Sequence, residues 1–362
     1  MQAEKHISRQ AVAENRFNGG GYAFCRLPGA TTYHYMAQAG LPQHILNLHN
    51  CCGKSGYVVV PFHSLPSMPT LLIVPDLHEI CEMPLSSSRQ LVKTTITDNG
   101  RKQYANAFAH CQNLLTAGVC EKIVLARRMQ LTAEATPNPF SLFLNACLAH
   151  PNHYVALWWT AETDLWLVAT PEVLLESDGS HWHTMALAGT EAWNGETAVA
   201  DIERWSHKNR REQQLVADEV ANCLRPYVQE LEASPTYPCR AGNVVHLRTD
   251  FRFALKATAT PYHIIENLHP TPAVCGVPRH KALEAILQAE AEQRRYYAGY
   301  SGMLTPEGHT HFYVSLRCLS VHQKAITLYA GGGLLSSSIE TEEWEETERK
   351  LQTMLQVLNP KA

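Results

Sequence analysis

Apolar and polar residues alternate strictly in the segment VVHLRTDFRFAL, residues 244–255. A period of two is typical of a half-buried strand, because successive side chains point to opposite faces of a sheet. The apolar face carries Val245, Leu247, Thr249, Phe251, Phe253 and Leu255. The opposite face carries His246, Arg248, Asp250 and Arg252. We therefore predict a strand that turns one face toward the core.

Two segments show the three- and four-residue spacings of amphipathic helices. The first runs from about Ser206 to Glu232, and its apolar stripe consists of Val216, Val220, Cys223, Leu224, Val228 and Leu231. The second runs from about Thr341 to Leu358, and its apolar face consists of Trp344, Thr347, Leu351, Met354 and Leu358. We predict two long helices, each with one face against the core.

Strands and helices alternate along the remainder of the chain. Helices are predicted at 102–118, at about 139–150 and from about residue 280. Strands are predicted in GYVVVPF, TLLIVPD, EKIVLARRMQLTA, HYVALWWT, DLWLVAT, YYAGYSGML, HFYVSLRCLSV and AITLYAGGG. This order favours an α+β or mixed α/β fold, in which large antiparallel or mixed sheets flanked by helices enclose a central pocket. Residues 1–100 are the least regular part, and we expect them to form an N-terminal flank of the same structural unit.

Composition narrows the class of protein. The 362 residues are 45% hydrophobic and 18% charged, with a mean hydropathy of −0.22, which is typical of globular proteins. The net charge of −4 gives no excess positive field for nucleic acid or an anionic membrane surface. Eleven cysteines without a C-x-x-C pair, and a polar start without a signal-peptide pattern, lead us to expect a cytoplasmic protein.

One glutamate lies in an unexpected place on the first long helix. At 100° per residue, Glu212 projects within ~60° of Leu215, Val216 and Cys223, near the middle of the apolar stripe. A carboxylate in that position needs a partner. It could form a salt bridge with Arg210 or another neighbour, or it could serve a functional site, and the pattern alone leaves both interpretations open.

The last helix presents a similar arrangement. Glu343, Glu346 and Lys350 follow one border of its apolar face at spacings of three and four residues. One interpretation is an ordinary Glu–Lys pair on a solvated helix edge. The other is a site for a hard cation, because Mg²⁺ is usually held by one or two carboxylates together with water and substrate oxygens.

Three further features could carry chemistry. Lys122 opens an apolar strand on the face of Val124 and Ala126, where its amine either extends to water or is desolvated enough to act as a base. Glu172 follows a proline and begins a short helix-like stretch, where it is either a helix N-terminal acid or the matching general acid. The glycines of AGGGLL, residues 330–335, form a turn or offer N–H groups to a carboxylate.

Taken together, these segments resemble the chorismate-utilising enzymes, a family that includes isochorismate, salicylate, anthranilate and aminodeoxychorismate synthases. The resemblance runs in order through nine blocks: EKIVLARR (121–128), ATPEVLLE (169–176), MALAGTEAW (185–193), SHKNRREQQLV (206–216), VVHLRTDF (244–251), LHPTPAVCGVP (268–278), RRYYAGYSG (294–302), VSLRCL (314–319) and AGGGLLSSSIETEEWEETERK (330–350). Residues 101–358 thus resemble a chorismate-binding catalytic region.

The resemblance implies a role for each matching position. Lys122 would activate water for attack at C2 of the ring, and Glu172 would protonate the departing C4 hydroxyl. The implied Mg²⁺ ligands, direct or through water, are Glu212, Glu343 and Glu346. Residues implied in gripping the enolpyruvyl carboxylate are Tyr297, Arg317, Gly331 and Gly332. Further matching pocket positions are Gly189, Thr190, His246, Ala273 and Lys350.

The resemblance also implies a product. In this family a lysine at the position of Lys122 marks the members that use water, and the small residue Ala273 occupies a position where salicylate-forming members tend to carry a hydroxyl. An Mg²⁺-dependent isochorismate synthase is therefore expected, acting on chorismate without a glutaminase partner, as a monomer or homodimer. Menaquinone biosynthesis is the favoured pathway over siderophore biosynthesis. The alternatives are a salicylate synthase, a non-catalytic chorismate-binding subunit and, third, an amine-forming synthase.

Overall fold

The structure, a computed structural model, describes residues 20–84, 90–177, 181–193, 201–242, 244–305 and 309–360. The strands in these ranges are β1 (Gly21–Arg26), β2 (Thr32–Gln38), β3 (Gln43–His44), β4 (Gly56–Val60), β5 (Leu71–Ile73), β6 (Leu77–Glu82), β7 (Thr94–Asp98), β8 (Lys122–Ala133), β9 (Tyr154–Thr160), β10 (Asp164–Thr170), β11 (Val173–Ser177), β12 (Trp182–Ala192), β13 (Val228–Ala233), β14 (Tyr237–Ala241), β15 (Val244–Leu255), β16 (Gly276–Val277), β17 (Tyr300–Leu304), β18 (Thr310–Val314), β19 (Cys318–His322) and β20 (Ala325–Leu334). The α-helices are α1 (Arg101–Thr116), α2 (Pro139–Ala149), α3 (His207–Leu224), α4 (Pro261–Leu268), α5 (Arg279–Ala289) and α6 (Glu340–Leu358).

These strands form two ten-stranded sheets. The first has the order β16-β8-β20-β19-β10-β9-β1-β2-β6, and β7 also pairs with β8. The second has the order β13-β15-β12-β11-β18-β17-β4-β5-β3, and β14 also pairs with β15. Every strand pair in the described ranges is antiparallel. The predicted fold of large sheets flanked by helices is confirmed.

The two sheets pack against each other through buried aromatic residues. The rings of Tyr154 in the first sheet and Tyr313 in the second stack with centroids 4.1 Å apart. The hydroxyl of Tyr154 also lies 3.0 Å from that of Tyr57 in the second sheet. A second core lies on the other face of the first sheet, where α2 and α6 contribute Leu142, Phe143, Leu351 and Met354. Helix α6 is thereby fixed to the first sheet, with its glutamates near the end of β20.

The C-terminal half of β20 has a neighbour on one side only. Strand β19 pairs with it from Ala325 as far as Tyr329, whereas β8 continues along it to Leu334. The glycines of the AGGG block lie in this half. A strand with an open edge and no side chains lets groups from other elements approach its backbone closely. The site forms at this edge.

The helix predicted for residues 206–232 is too long. Helix α3 ends at Leu224, and the chain then turns and enters strand β13. Pro226 explains the stop, because proline lacks the N–H for a helical hydrogen bond and disfavours helical geometry in the residue before it. Val228 and Leu231 fit the helical spacing but belong to the strand.

Two shorter predictions are also wrong. Glu172 does not begin a helix-like stretch, since the residues after it form strand β11 at the edge of the site. HFYVSLRCLSV is not one strand, because its two halves are β18 in the second sheet and β19 in the first. The chain crosses between the sheets at Arg317, which has a left-handed φ of 46°. This crossing places the Arg317 side chain between the two sheets.

The other long elements match their predictions. The alternating segment is strand β15, and the last helix is α6, each within a residue of its predicted bounds. Residues 20–84 and 90–100 supply strands to both sheets, while the assignment of residues 1–100 as an N-terminal flank of the same structural unit stays a prediction. In the parts of the chain that the structure describes, no helix has the length and apolar character needed to cross a bilayer.

Arg294 ties the site strand β8 to the segment that faces it. Its guanidinium is buried, donates to the carbonyls of Val124 (2.6 Å) and Val274 (2.8 Å), and pairs at 2.5 Å with the carboxylate of Glu290, whose side chain is only 9% exposed. Glu290 in turn accepts a hydrogen bond from the Ala126 N–H at 2.9 Å. A buried ion pair of this kind is destabilising when one partner is removed, because the other charge is left without compensation.

We therefore expect Arg294→Met to lower the free energy of unfolding by about 3–5 kcal/mol, since Glu290 is then buried and unpaired. The neighbouring Arg295→Met is the matched control, because its ion pair with Asp164 is about 30% exposed and should contribute at most about 1 kcal/mol. Denaturant unfolding followed by tryptophan fluorescence measures both. Equal losses in the two variants would contradict the structural role of Arg294.

Candidate active site

Residues from both sheets and from helices α3 and α6 line one cavity of about 610 Å³, part of which is open to solvent. The predicted site residues that line it are Glu172, Gly189, Thr190, Glu212, His246, Ala273, Tyr297, Arg317, Gly331 and Lys350. Lys122, Gly332, Glu343 and Glu346 lie immediately behind this lining, in contact with lining residues or bordering the same glycine strand. The structure thus brings all fourteen predicted residues together, although they come from positions as far apart as 122 and 350.

Lys122 is completely buried, so its amine does not extend to water. The Nζ donates to the carbonyl oxygen of Pro272 at 3.0 Å and lies 3.2 Å from Oε1 of Glu212. Burial lowers the pKa of Lys122, and the negative charges of Glu212 and Glu172 oppose that shift. A lysine with a lowered pKa can supply the neutral amine that a general base requires.

Glu172 is also buried, at the start of β11. Burial raises the pKa of its carboxyl group to about 7, although Lys122, the Thr271 hydroxyl, Lys350 and Arg317 all favour the charged form. The Thr271 hydroxyl lies 3.4 Å from Oε1. A carboxyl group with this pKa is protonated in about half of the molecules at neutral pH and can act as a general acid.

The carboxylate of Glu212 and the amine of Lys122 meet over the backbone of Gly333. A Cβ atom at Gly333 would lie 1.9 Å from Oε1 of Glu212 and 2.8 Å from Cε of Lys122. A larger residue at Gly333 would displace the Glu212 carboxylate and the Lys122 amine from these positions. The partner of Glu212 is therefore Lys122, whereas Arg210 pairs with Glu203 at the surface.

Glu343 and Glu346 are buried rather than on a solvated helix edge. Both border Gly332, where a Cβ would lie 3.4 Å from an oxygen of each. Glu343 pairs with Lys208 of α3, and Glu346 pairs with Lys350 at 2.6 Å. Burial raises the pKa of Glu343. Burial also acts to raise that of Glu346, but Lys350 and Lys208 hold the pKa of Glu346 below its ordinary value.

Each of the three glutamates predicted to bind a metal thus has a lysine as its counter-charge. In the described ranges, no three His, Cys, Asp or Glu side chains converge closely enough to chelate an ion by themselves. Two features nevertheless fit a hydrated Mg²⁺, which needs only one or two carboxylates and keeps several waters. Oε2 of Glu343 is buried without a hydrogen-bond partner. Gly332 has no side chain to fill the space beside this oxygen.

Arg317 forms the cationic side of the cavity together with Lys350. Burial lowers the pKa of Arg317 to about 10, which leaves it charged at neutral pH. Its Nη2 lies 2.8 Å from Nε2 of His246, and because a guanidinium has only donors, that ring nitrogen must accept. The ring proton is then on Nδ1, within 3.2 Å of the carbonyl oxygen of Gly189. Burial and Arg317 also lower the pKa of His246, which keeps the ring neutral.

The N-terminal turns of α3 hold the bulge of β12 that carries Gly189. The register of β12 against β15 shifts between Ala188 and Thr190, and Gly189 adopts a φ of 64° there. A Cβ on Gly189 would lie 2.8 Å from the carbonyl oxygen of Asn209. The amide of Asn209 donates to the Thr190 carbonyl at 3.2 Å. The two pocket positions Gly189 and Thr190 are thereby fixed to the helix that carries Glu212.

Three residues of the site escaped prediction from sequence. Lys208 pairs with Glu343, Thr271 contacts Glu172, and Gly333 makes room for Glu212 and Lys122. For Lys208 the available signal was its place one helical turn before Glu212. For Gly333 the signal was the third consecutive glycine, whereas nothing in the sequence singles out the Thr271 hydroxyl.

Comparison with known proteins agrees with this geometry. The family description "Chorismate binding enzyme" matches residues 75–359. A Mycobacterium tuberculosis protein provisionally named isochorismate synthase MenF is 33% identical over 328 residues, which cover 84% of this chain and 88% of that one. Isochorismate synthase EntC of Escherichia coli is 27% identical over 82% of this chain and 79% of its own length.

A solved structure has the same fold. The menaquinone-specific isochorismate synthase MenF of Escherichia coli superposes with a TM-score of 0.81 over 96% of this chain and 90% of that chain, at 21% identity. The family match covers well over half of the residues and includes every position that lines the cavity. The chain belongs to the family of chorismate-binding enzymes.

Proposed function

We propose that this protein is an isochorismate synthase that isomerises chorismate. The observation that carries the proposal is the pair formed by Lys122 and Glu172 at one cavity: a buried amine with a lowered pKa and a buried carboxyl group with a pKa near 7. Such a pair suits a reaction that takes a proton from one group and gives a proton to another. The family membership and the names of the relatives support the same activity.

In the proposed reaction, neutral Lys122 takes a proton from water, and the resulting hydroxide oxygen bonds to C2 of the ring. Both double bonds of the ring diene shift as the C4–oxygen bond breaks, and Glu172 gives its proton to the departing hydroxyl group, which leaves as water. One water enters and one leaves, so substrate and product are isomers. Ammonium Lys122 and carboxylate Glu172 then exchange the proton with solvent before the next turnover.

We propose that Mg²⁺ assists this reaction, held by Glu212, Glu343 and Glu346 directly or through water. The ion would supply positive charge for the ring carboxylate of the substrate. Lys122, Lys208 and Lys350 hold the three carboxylates in place without it. Arg317, Tyr297 and the backbone of Gly331 and Gly332 form the proposed grip on the enolpyruvyl carboxylate, since a planar guanidinium suits that anion.

The remaining features favour isochorismate as the final product. Ala273 lines the cavity without a hydroxyl group, and in the proposed reaction Lys122 activates water. We propose that the protein acts in the cytoplasm without a glutaminase partner, as a monomer or homodimer. The MenF names of two relatives favour a role in menaquinone biosynthesis, whereas the EntC relative carries the name of a different isochorismate synthase.

The purified protein incubated with chorismate, with and without Mg²⁺ after treatment with a chelator, tests the proposal. Products are separated by chromatography and pyruvate is assayed in parallel. Isochorismate formed only with Mg²⁺ and without pyruvate is the expected result. Salicylate with pyruvate would instead identify a salicylate synthase, and no product would contradict the proposed activity.

Lys122→Ala should lower kcat at least about 100-fold, because it removes the proposed general base. The control variant is Lys93→Ala, which removes an exposed lysine from its ion pair with Glu134 and should leave kcat unchanged. Steady-state kinetics with chorismate measure both, and circular dichroism checks the fold. Turnover by Lys122→Ala near the wild-type rate would remove Lys122 from the mechanism.

The pKa of Glu172 predicts how kcat/KM depends on pH. Its acid form is present below a pKa of about 7, so kcat/KM should fall as the pH rises through this value. Glu172→Gln should lower kcat by about 10²–10⁴ and abolish this alkaline decline. Glu121→Gln, at an exposed ion pair with Arg211, should keep the wild-type profile. An alkaline decline that survives in Glu172→Gln would show that another group is the acid.

Glu346→Gln tests the metal site. Loss of one buried carboxylate should weaken Mg²⁺ binding at least about tenfold, as measured by isothermal titration calorimetry in the absence of chorismate. The adjacent Glu345 on the same helix is 69% exposed, so Glu345→Gln should bind Mg²⁺ like the wild type. Equal Mg²⁺ affinities in the two variants would exclude Glu346 as a ligand.

A further inference from the structure

One short segment, residues 270–276, contacts both the base and the acid. The carbonyl oxygen of Pro272 accepts the hydrogen bond from Lys122 Nζ at 3.0 Å. The neighbouring Thr271 directs its hydroxyl group at Oε1 of Glu172, at 3.4 Å, and its side chain is buried. Adjacent residues of one turn therefore hold the two groups that exchange protons with the substrate.

This turn is rigid and tied to the strand of the base. The carbonyl oxygen of Thr271 accepts hydrogen bonds from the N–H groups of Val274 (3.0 Å) and Cys275 (2.9 Å). Arg294 fixes the Val274 carbonyl, and β16 pairs Gly276 with Ile123 of β8. The backbone of Thr271 is thus held at a fixed position relative to the strand that carries Lys122.

The Thr271 hydroxyl is the one neutral donor that contacts the carboxyl group of Glu172 in the described ranges. The charged groups that act on Glu172 are Lys122, Lys350 and Arg317. The other titratable residues that line the cavity are Glu212, His246, Tyr297 and Tyr329. These three positive charges lower the cost of ionising Glu172, whereas a hydrogen bond to one oxygen also distinguishes Oε1 from Oε2.

We propose that Thr271 is the positioning residue of the acid: its hydroxyl group holds Oε1 of Glu172, so that the proton to be transferred is carried on Oε2. This inference rests on the proposed function, in which Glu172 is the proton donor. A donor to Oε1 stabilises the carboxylate more than the neutral acid. Removal of the hydroxyl group therefore has two effects, a less well oriented acid and a carboxyl group that ionises at higher pH.

The test compares Thr271→Val, which keeps the shape and loses the hydroxyl group, with Thr271→Ser, which keeps the hydroxyl group. Thr310→Val is the matched control, because Thr310 is a completely buried threonine whose hydroxyl donates to the Leu175 carbonyl at 3.2 Å, outside the site. Infrared difference titration follows the carboxyl C=O band of Glu172, which is identified by its loss in Glu172→Gln. Kinetics with chorismate and thermal unfolding are measured on the same samples.

In Thr271→Val we expect the Glu172 band to titrate about half a pH unit to one unit higher, equivalent to the ~1 kcal/mol of one hydrogen bond. The alkaline decline of kcat/KM should move by the same amount, and kcat should fall about tenfold while KM changes less than about twofold. Thr271→Ser, which keeps the hydroxyl group, should leave the titration of the Glu172 band, the alkaline decline of kcat/KM and kcat at their wild-type values. Thr310→Val should lower the unfolding temperature without moving the titration.

An unchanged titration of Glu172 in Thr271→Val, or the same shift in Thr310→Val, would overturn the proposal. The infrared measurement needs no turnover, so it separates this inference from the proposed function. If the wild-type protein forms no isochorismate while the band still shifts in Thr271→Val alone, the hydrogen bond to Glu172 stands and the assigned reaction fails.

Discussion

The site depends on a lysine that is removed completely from water. Lys122 has no exposed surface, and its charge is compensated by Glu212 at 3.2 Å and by a backbone carbonyl at 3.0 Å. Desolvation of a charged amine costs several kcal/mol unless such partners are present. The fold supplies them at the open edge of β20, where Gly333 leaves the space that both side chains occupy.

The same compensation extends through the whole site. Positive charges from Lys122, Lys208, Lys350 and Arg317 alternate with the four buried glutamates, so that no carboxylate lacks a cation nearby. Burial raises the pKa of Glu172, whereas at Glu346 the positive charges of Lys350 and Lys208 outweigh burial and lower the pKa. An anionic substrate or a divalent cation therefore enters a site whose charges are already ordered.

The acid and the base come from different sheets, and their separation is decided by how the sheets are joined. Glu172 precedes β11 of the second sheet, and Lys122 opens β8 of the first. The turn at Thr271 and Pro272 contacts both, and Arg294 anchors that turn to β8. The Arg294–Glu290 pair thus holds in place the turn that contacts both groups.

Sequence alone determined the elements with long, regular patterns, namely β15 and α6, and its ordered motifs predicted the residues that the structure brings together around one cavity. It did not determine where α3 ends, because the apolar spacing continues past Pro226 into a strand. It also left open whether Lys122 and Glu212 were surface charges, since periodicity describes one element at a time. Only the tertiary structure decided their pairing and the contact of Thr271 with Glu172, because these contacts join segments 90 and 99 residues apart.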